Sequence, residues 1–168
     1  MKAQPSRIEV LNPHRIDYLR CMMNGRDTLA IGVHAVPTVG LLLQGFLYVT
    51  TPRFMPYHGD ALGVSWEQLP TNYQGFLLGV VKGMGAGSIG VTLALLIMLL
   101  IPFRRGDAWV RWAVPVVGVA FTSLTAYAAF TIAMSTPAST PWRQTCGLTA
   151  LYLAGALISY WPSRSRSG

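Results

Sequence analysis

Residues 74–101 read QGFLLGVVKGMGAGSIGVTLALLIMLLI, a run whose one charged side chain is Lys82. A helix needs about 20 predominantly apolar residues to cross the hydrocarbon core of a bilayer, and this stretch exceeds that length. Three more stretches reach it, at 29–49, 108–132 and 142–161. The chain is 52% apolar and 11% charged, a membrane composition and not that of a soluble domain. The predicted fold is all-α, an integral membrane four-helix antiparallel bundle with an outer loop over 50–73 as its one long connection.

The basic residues alternate with the spans. Lys2, Arg7, Arg15, Arg20 and Arg26 precede the first, Arg104, Arg105 and Arg111 surround the turn between the second and third, and Arg164 and Arg166 end the chain. The two opposite connections carry only Arg53 and Arg143. Basic residues near span ends are retained in the cytoplasm, so the expected topology is N-in, C-in. Topogenesis thus accounts for the net charge of +7 and makes a nucleic-acid interface a poor reading. No short apolar stretch with a small-residue cleavage site opens the sequence, and the first span is expected to direct insertion.

Three regions follow from this reading. Residues 1–28 form a cytoplasmic segment in which Ile16, Leu19 and Met23 recur at helical spacing beside Arg15 and Arg20, which fits an interfacial helix or a loosely ordered tail. Residues 29–161 form the four-span domain, and 162–168 a basic cytoplasmic tail. The long loop carries Arg53, Tyr57, His58, Asp60, Trp66 and Glu67, and a short helix over 61–69 capped by Asp60 is expected to lie over the mouth of the bundle.

Two patterns mark the second span. Gly75, Gly79, Gly83 and Gly87 recur every fourth residue, with Ala86, Gly90 and Ala94 in an adjoining row, a glycine-zipper spacing that lets a neighbouring helix approach closely. Packing inside the chain is the favoured use of that stripe, and packing between subunits the alternative. Lys82 borders it and is expected to point into the bundle, where Gln44, Thr125, Thr149 and Tyr152 lie at similar depth and would complete a polar cavity in the outer half. His58, Asp60 and Glu67 would stand above it. The bland alternative is a lysine that snorkels to the interface beside ordinary interhelical hydrogen bonds.

His34, next to the helix-interrupting Pro37, is read first as a satisfied structural residue and second as a ligand or proton carrier. Cys21 and Cys146 fall on opposite sides of the membrane, no CxxC spacing occurs, and His14, His34 and His58 sit at different depths, so no metal or haem site is expected.

The proline-containing loop after the first span, and the basic residue opening the run Lys82-Gly83-Met84-Gly85-Ala86-Gly87, resemble the DoxX-like small four-span proteins of bacterial inner membranes. The resemblance covers the first two spans better than the last two, and such proteins usually have arginine where this chain has Lys82. It implies an inner-membrane location and, for some members, a subunit of a quinone-linked oxidoreductase. It supplies no catalytic residues.

No catalytic motif is present and no cofactor is predicted. The leading expectation is an accessory or partner-binding membrane subunit whose cavity takes a small apolar ligand, a lipid or quinone, with a membrane-protein partner or a second copy of the chain beside it. One alternative is an intramembrane enzyme acting on a lipid or quinone, with Lys82 as anchor and His58, Asp60 or Glu67 as acid and base. Another is a small oligomeric transporter, although no inverted repeat or broken helix pair is visible.

Overall fold

A computed structural model describes residues 25–160. The elements in order are α1 (Gly25–Thr50), α2 (Pro56–Leu62), a 3-10 turn (Trp66–Gln68), α3 (Thr71–Met98), a π turn (Leu99–Phe103), α4 (Val110–Ser135) and α5 (Trp142–Tyr160), with no strand among the described residues. Three helices are long and apolar enough to cross a membrane: α1, α3 continued through its π turn, and α4. Arg143 and Gln144 sit in the first turn of α5, which makes it the least apolar of the four long helices. The expected surface helix around Ile16–Met23, Cys21 and the basic tail lie outside the described residues.

Helix limits follow from local chemistry. Among the described residues α1 already includes Gly25, ahead of the expected Leu29, and Arg26 in it reaches across to α5: its Nε donates to the Ile158 carbonyl at 2.8 Å and a terminal nitrogen donates to the Ser159 carbonyl. Those carbonyls belong to the last turn of α5, where a cation is favoured. At the far end of α3, Pro102 lacks an N–H and would clash with the carbonyl four residues back. The wider π turn over Leu99–Phe103 relieves that conflict and carries the helix past Ile101. Gly106, at φ +80°, then reverses the chain, its N–H donating to Phe103 O at 3.1 Å.

The long helices pack as a row, α3 on α1, α1 on α5 and α5 on α4, with α3 and α4 touching only sparsely. Ser88 Oγ of α3 donates to Leu41 O of α1 at 3.0 Å, Thr38 Oγ1 of α1 meets the Tyr152 hydroxyl of α5 at 2.9 Å, and Thr149 Oγ1 of α5 donates to Thr122 Oγ1 of α4 at 2.8 Å. Numbers rise along one helix as they fall along its neighbour, so each packed pair is antiparallel.

Sequence spacing puts His34, Pro37, Thr38, Leu41, Gln44, Gly45 and Tyr48 on one face of α1; the helix buries all of these but Gln44, which is half-buried, together with Ala30. Pro115, Gly118, Thr122 and Ala126 of α4 are likewise buried, as are Tyr152 and Ser159 of α5. Sequence spacing puts Cys146, Thr149, Tyr152, Ala156 and Ser159 on one stripe of α5; Cys146 is instead exposed, and Thr145 and Gly155 are buried.

Close approach rests on one glycine from each long helix. A Cβ on Gly85 would lie 2.8 Å from the Gly45 carbonyl oxygen, and one on Gly45 would lie 3.0 Å from the Gly85 carbonyl oxygen, so α1 and α3 meet backbone to backbone. A Cβ on Gly118 would fall 2.5 Å from the Tyr152 ring. The fourth, Gly155, faces His34.

The α3 stripe corrects the expectation. A Cβ on Gly75, Gly79, Gly83, Gly87 or Gly90 would meet nothing within 4 Å, and Ala86 is exposed. The buried residues of α3 are Val81, Gly85, Ser88, Thr92 and Leu95, on the opposite side. The reason is geometric: at 100° per residue, Gly79, Gly83, Ala86 and Gly90 cluster half a turn from the face that meets α1.

His34 is fully buried, with ring centroids 5.9 Å from Tyr152 and 6.2 Å from Phe103. Neither ring nitrogen has a hydrogen-bond partner among the described residues, contrary to the satisfied role expected for it. Near the same end of the bundle, Arg111 of α4 reaches Asp27 of α1 at 3.3 Å.

Candidate functional site

The segment between α1 and α3 is built in two short pieces. Pro56 opens α2, its missing N–H costing nothing in a first turn, and Gly63, at φ +68°, ends it by donating to Gly59 O at 2.8 Å. The helix expected over 61–69 with Asp60 as cap is thus displaced: α2 is capped at Met55, and Trp66–Gln68 is a separate 3-10 turn. Gln74 ties that turn to α3, its Nε2 donating to Trp66 O at 2.9 Å and Leu69 O at 3.0 Å. The Trp66 ring stands edge-on to Phe54 with centroids 5.0 Å apart.

α2 roofs a cavity of about 410 Å³. The cavity occupies the space between the loop-side halves of α3 and α4. Leu77, Val80, Val81 and Met84 form one wall, Thr125, Ala128, Ala129 and Ile132 the other, with Gln44 and Tyr48 of α1 between them and Tyr57, His58, Ala61 and Leu62 above. A smaller space of about 230 Å³ adjoins it, sharing Gln44, Tyr48, Met84 and Thr125 and continuing inward past Ser88 and Phe121.

Two hydrogen-bonded contacts hold the roof. The Tyr48 and Tyr57 hydroxyls share a short hydrogen bond from α1 to α2. His58 N donates to Met55 O at 2.9 Å while Met55 N donates to His58 Nδ1 at 3.2 Å. A neutral imidazole that accepts at Nδ1 carries its proton on Nε2. Burial pushes the His58 imidazole below its ordinary value. Burial, and next the hydrogen bond with Tyr48, push the Tyr57 phenol far above its own. Both side chains are therefore neutral near pH 7.

Of the five residues expected to share a polar cavity, Gln44 and Thr125 line this one. Thr149 and Tyr152 are turned into the helix contacts, on Thr122 and Thr38 respectively. Lys82 is exposed beside the glycine stripe and lines neither this cavity nor the smaller space adjoining it. Correcting its placement turns on one step of helix phase: Val81 faces α1, so its neighbour at 100° does not. Among the loop residues, His58 reaches the cavity, whereas Asp60 and Glu67 border a separate open depression with Arg53. There Glu67 and Arg53 stand 3.7 Å apart, both well exposed, an arrangement of little energetic weight.

Sequence reasoning missed Tyr48 and Tyr57 as a pair, and missed the apolar walls. The described residues contain no cluster of three or more His, Cys, Asp or Glu side chains suited to a metal. No family model, curated protein or solved structure matches the chain.

Proposed function

We propose that this chain is a four-span accessory subunit of a membrane complex, with both termini cytoplasmic, which presents the outward face of α3 to a partner and holds a small apolar molecule, a lipid or quinone, in the cavity beneath α2. The arginine distribution supports the topology, since the positive-inside rule assigns the 51–70 loop to the far side. The packing of α5 on α1 and α4 supports counting it as the fourth crossing.

The observation that carries the reading is Lys82 on an unpartnered glycine face. At 1.5 Å per residue, Lys82 lies about 10 Å along α3 from Gly75, where the apolar run begins, inside a hydrocarbon core about 30 Å thick. A cation at the helix centre costs about 2.5–3.5 kcal/mol on insertion scales, and one at this depth carries part of that cost. Gly79, Gly83, Ala86 and Gly90 beside it leave a shallow groove that lipid chains fill no better than they fill any other surface. A helix carrying a carboxylate at the same depth answers both features, because small residues permit close contact and the carboxylate neutralises the ammonium. A parallel second copy would instead set two lysines together.

The test is the size of the particle extracted from native membranes in mild detergent. Wild type is expected to migrate as a complex, and Gly83→Leu and Lys82→Glu each to release it as a monomer with unchanged helicity. A wild-type chain that is monomeric, or a complex indifferent to both changes, would overturn the reading.

A further inference from the structure

We propose that the cavity under α2 is a site for an amphiphile with an uncharged, oxygen-bearing head and a single apolar chain, taken from the leaflet on the loop side. This deepens the ligand half of the function proposed above and does not depend on the partner.

The lining decides the charge class. None of the cavity-lining residues is Lys, Arg, Asp or Glu, and the one titratable base, His58, is neutral. Arg53, Asp60 and Glu67 border the other depression, and Lys82 faces away from the bundle. A phosphate or carboxylate head entering this space would lose its hydration with no counter-charge to replace it, a penalty far above that for an uncharged group that finds hydrogen bonds.

Neutral partners are present at the roof. His58 offers an Nε2–H, and the Tyr48–Tyr57 hydroxyl pair offers acceptor lone pairs. At the inner end, Gln44 offers both amide donors and an acceptor, and Thr125, whose hydroxyl donates to Phe121 O at 2.8 Å, keeps acceptor capacity.

Size and access decide the chain. At about 30 Å³ per water-sized group, 410 Å³ holds on the order of a dozen heavy atoms, which suits one head with the first part of one chain and not the two tails of a diacyl lipid. The walls from Leu77 to Met84 and from Thr125 to Ile132 are largely apolar. Because α3 and α4 are the two ends of the helix row and scarcely touch, the space between them opens sideways, and the rest of the chain can leave there into lipid. The head then sits under α2, in the same sense as the surrounding lipid heads.

The experiment uses the full chain in phosphatidylcholine nanodiscs at pH 9, with diazirine-bearing probes of one chain length that differ only in the head: a monoacylglycerol and the ionised fatty acid. Labelled residues are mapped by peptide mass spectrometry. The monoacylglycerol is expected to label 77–84 and 125–132 about tenfold or more above the carboxylate. Ala128→Phe should remove most of that labelling while Leu124→Phe, on the lipid side of α4, leaves it, and Gln44→Lys should raise labelling by the carboxylate. Equal labelling by both heads would overturn the charge selectivity and leave the pocket standing. Labelling of these segments no stronger than that around Leu124 by either probe would overturn the pocket itself.

Discussion

A Cβ placed on Gly155 of α5 would lie 2.5 Å from Cε1 of His34 on α1, and 2.7 Å from each ring nitrogen. The imidazole is fully buried and packs against the Phe103 and Tyr152 rings, so it cannot shift without repacking them. Gly155→Ala is therefore expected to lower stability by about 1–3 kcal/mol, the usual cost of overfilling a packed core. Thermal unfolding of the purified chain in detergent measures it. Gly79→Ala, which meets open space, should stay within about 0.5 kcal/mol of wild type.

The backbone contact of α1 with α3 yields a stronger case. Gly85→Leu would have to displace the Gly45 carbonyl and the Tyr48 Cβ, both 2.8 Å from the new Cβ. The α1–α3 pair should separate, and a cysteine cross-link engineered between 41 and 88 should lose most of its yield. Gly87→Leu, two residues away on the open side, should leave that yield unchanged.

These contrasts show what was legible beforehand. Fold class, the inner face of α1 and the loop as a cover were readable because apolar length, 3.6-residue periodicity and loop length are local signals. The phase of α3 was not readable, because a helix polar on neither side offers two small-residue faces, and only the neighbouring backbone decides which is used. The regular row from Gly75 to Gly87 is the conspicuous one, yet Gly85, off that row, makes the contact. Lys82 was misplaced along with the row. Gln44 and Thr125 were found because polarity at matched depth on two inward faces survives errors in the rest.

The roof should respond to acid. The His58 imidazole is held below its ordinary value by burial, so the unfolded segment binds the proton more readily than the folded one. The stability contributed by the neutral ring is present above the ordinary histidine range, about pH 6.5, and declines as pH falls through it toward the lowered native value. Hydrogen exchange of residues 56–62 should quicken relative to 85–95 as pH falls below about 6.5, and His58→Gln should abolish the difference.

Removing the Tyr57 hydroxyl isolates the other tie. Tyr57→Phe should loosen α2 by about 0.5–1.5 kcal/mol, the net worth of one hydrogen bond, seen as faster proteolysis within 51–70. The melting temperature of the four long helices should change little.

At the opposite end, Asp27 is mostly buried beside Arg111, which reaches it through a terminal nitrogen and whose Nε has no hydrogen-bond partner among the described residues. Asp27→Asn should cost about 1.5–3 kcal/mol, in the range of hydrogen bonds to charged groups. Asp27→Asn combined with Arg111→Met should recover part of that loss, which a double-mutant cycle in detergent would register.

The order in which the long helices lie side by side also bears on how the protein is made. Synthesis delivers α1, the loop and α3 first, and the contact of Gly45 with Gly85 belongs wholly to that half; α4 and α5 close on each other through Gly118, Tyr152, Thr122 and Thr149. Each hairpin therefore has its own internal contacts. The chamber draws its walls from both, so it is complete only when the second hairpin has docked on the first.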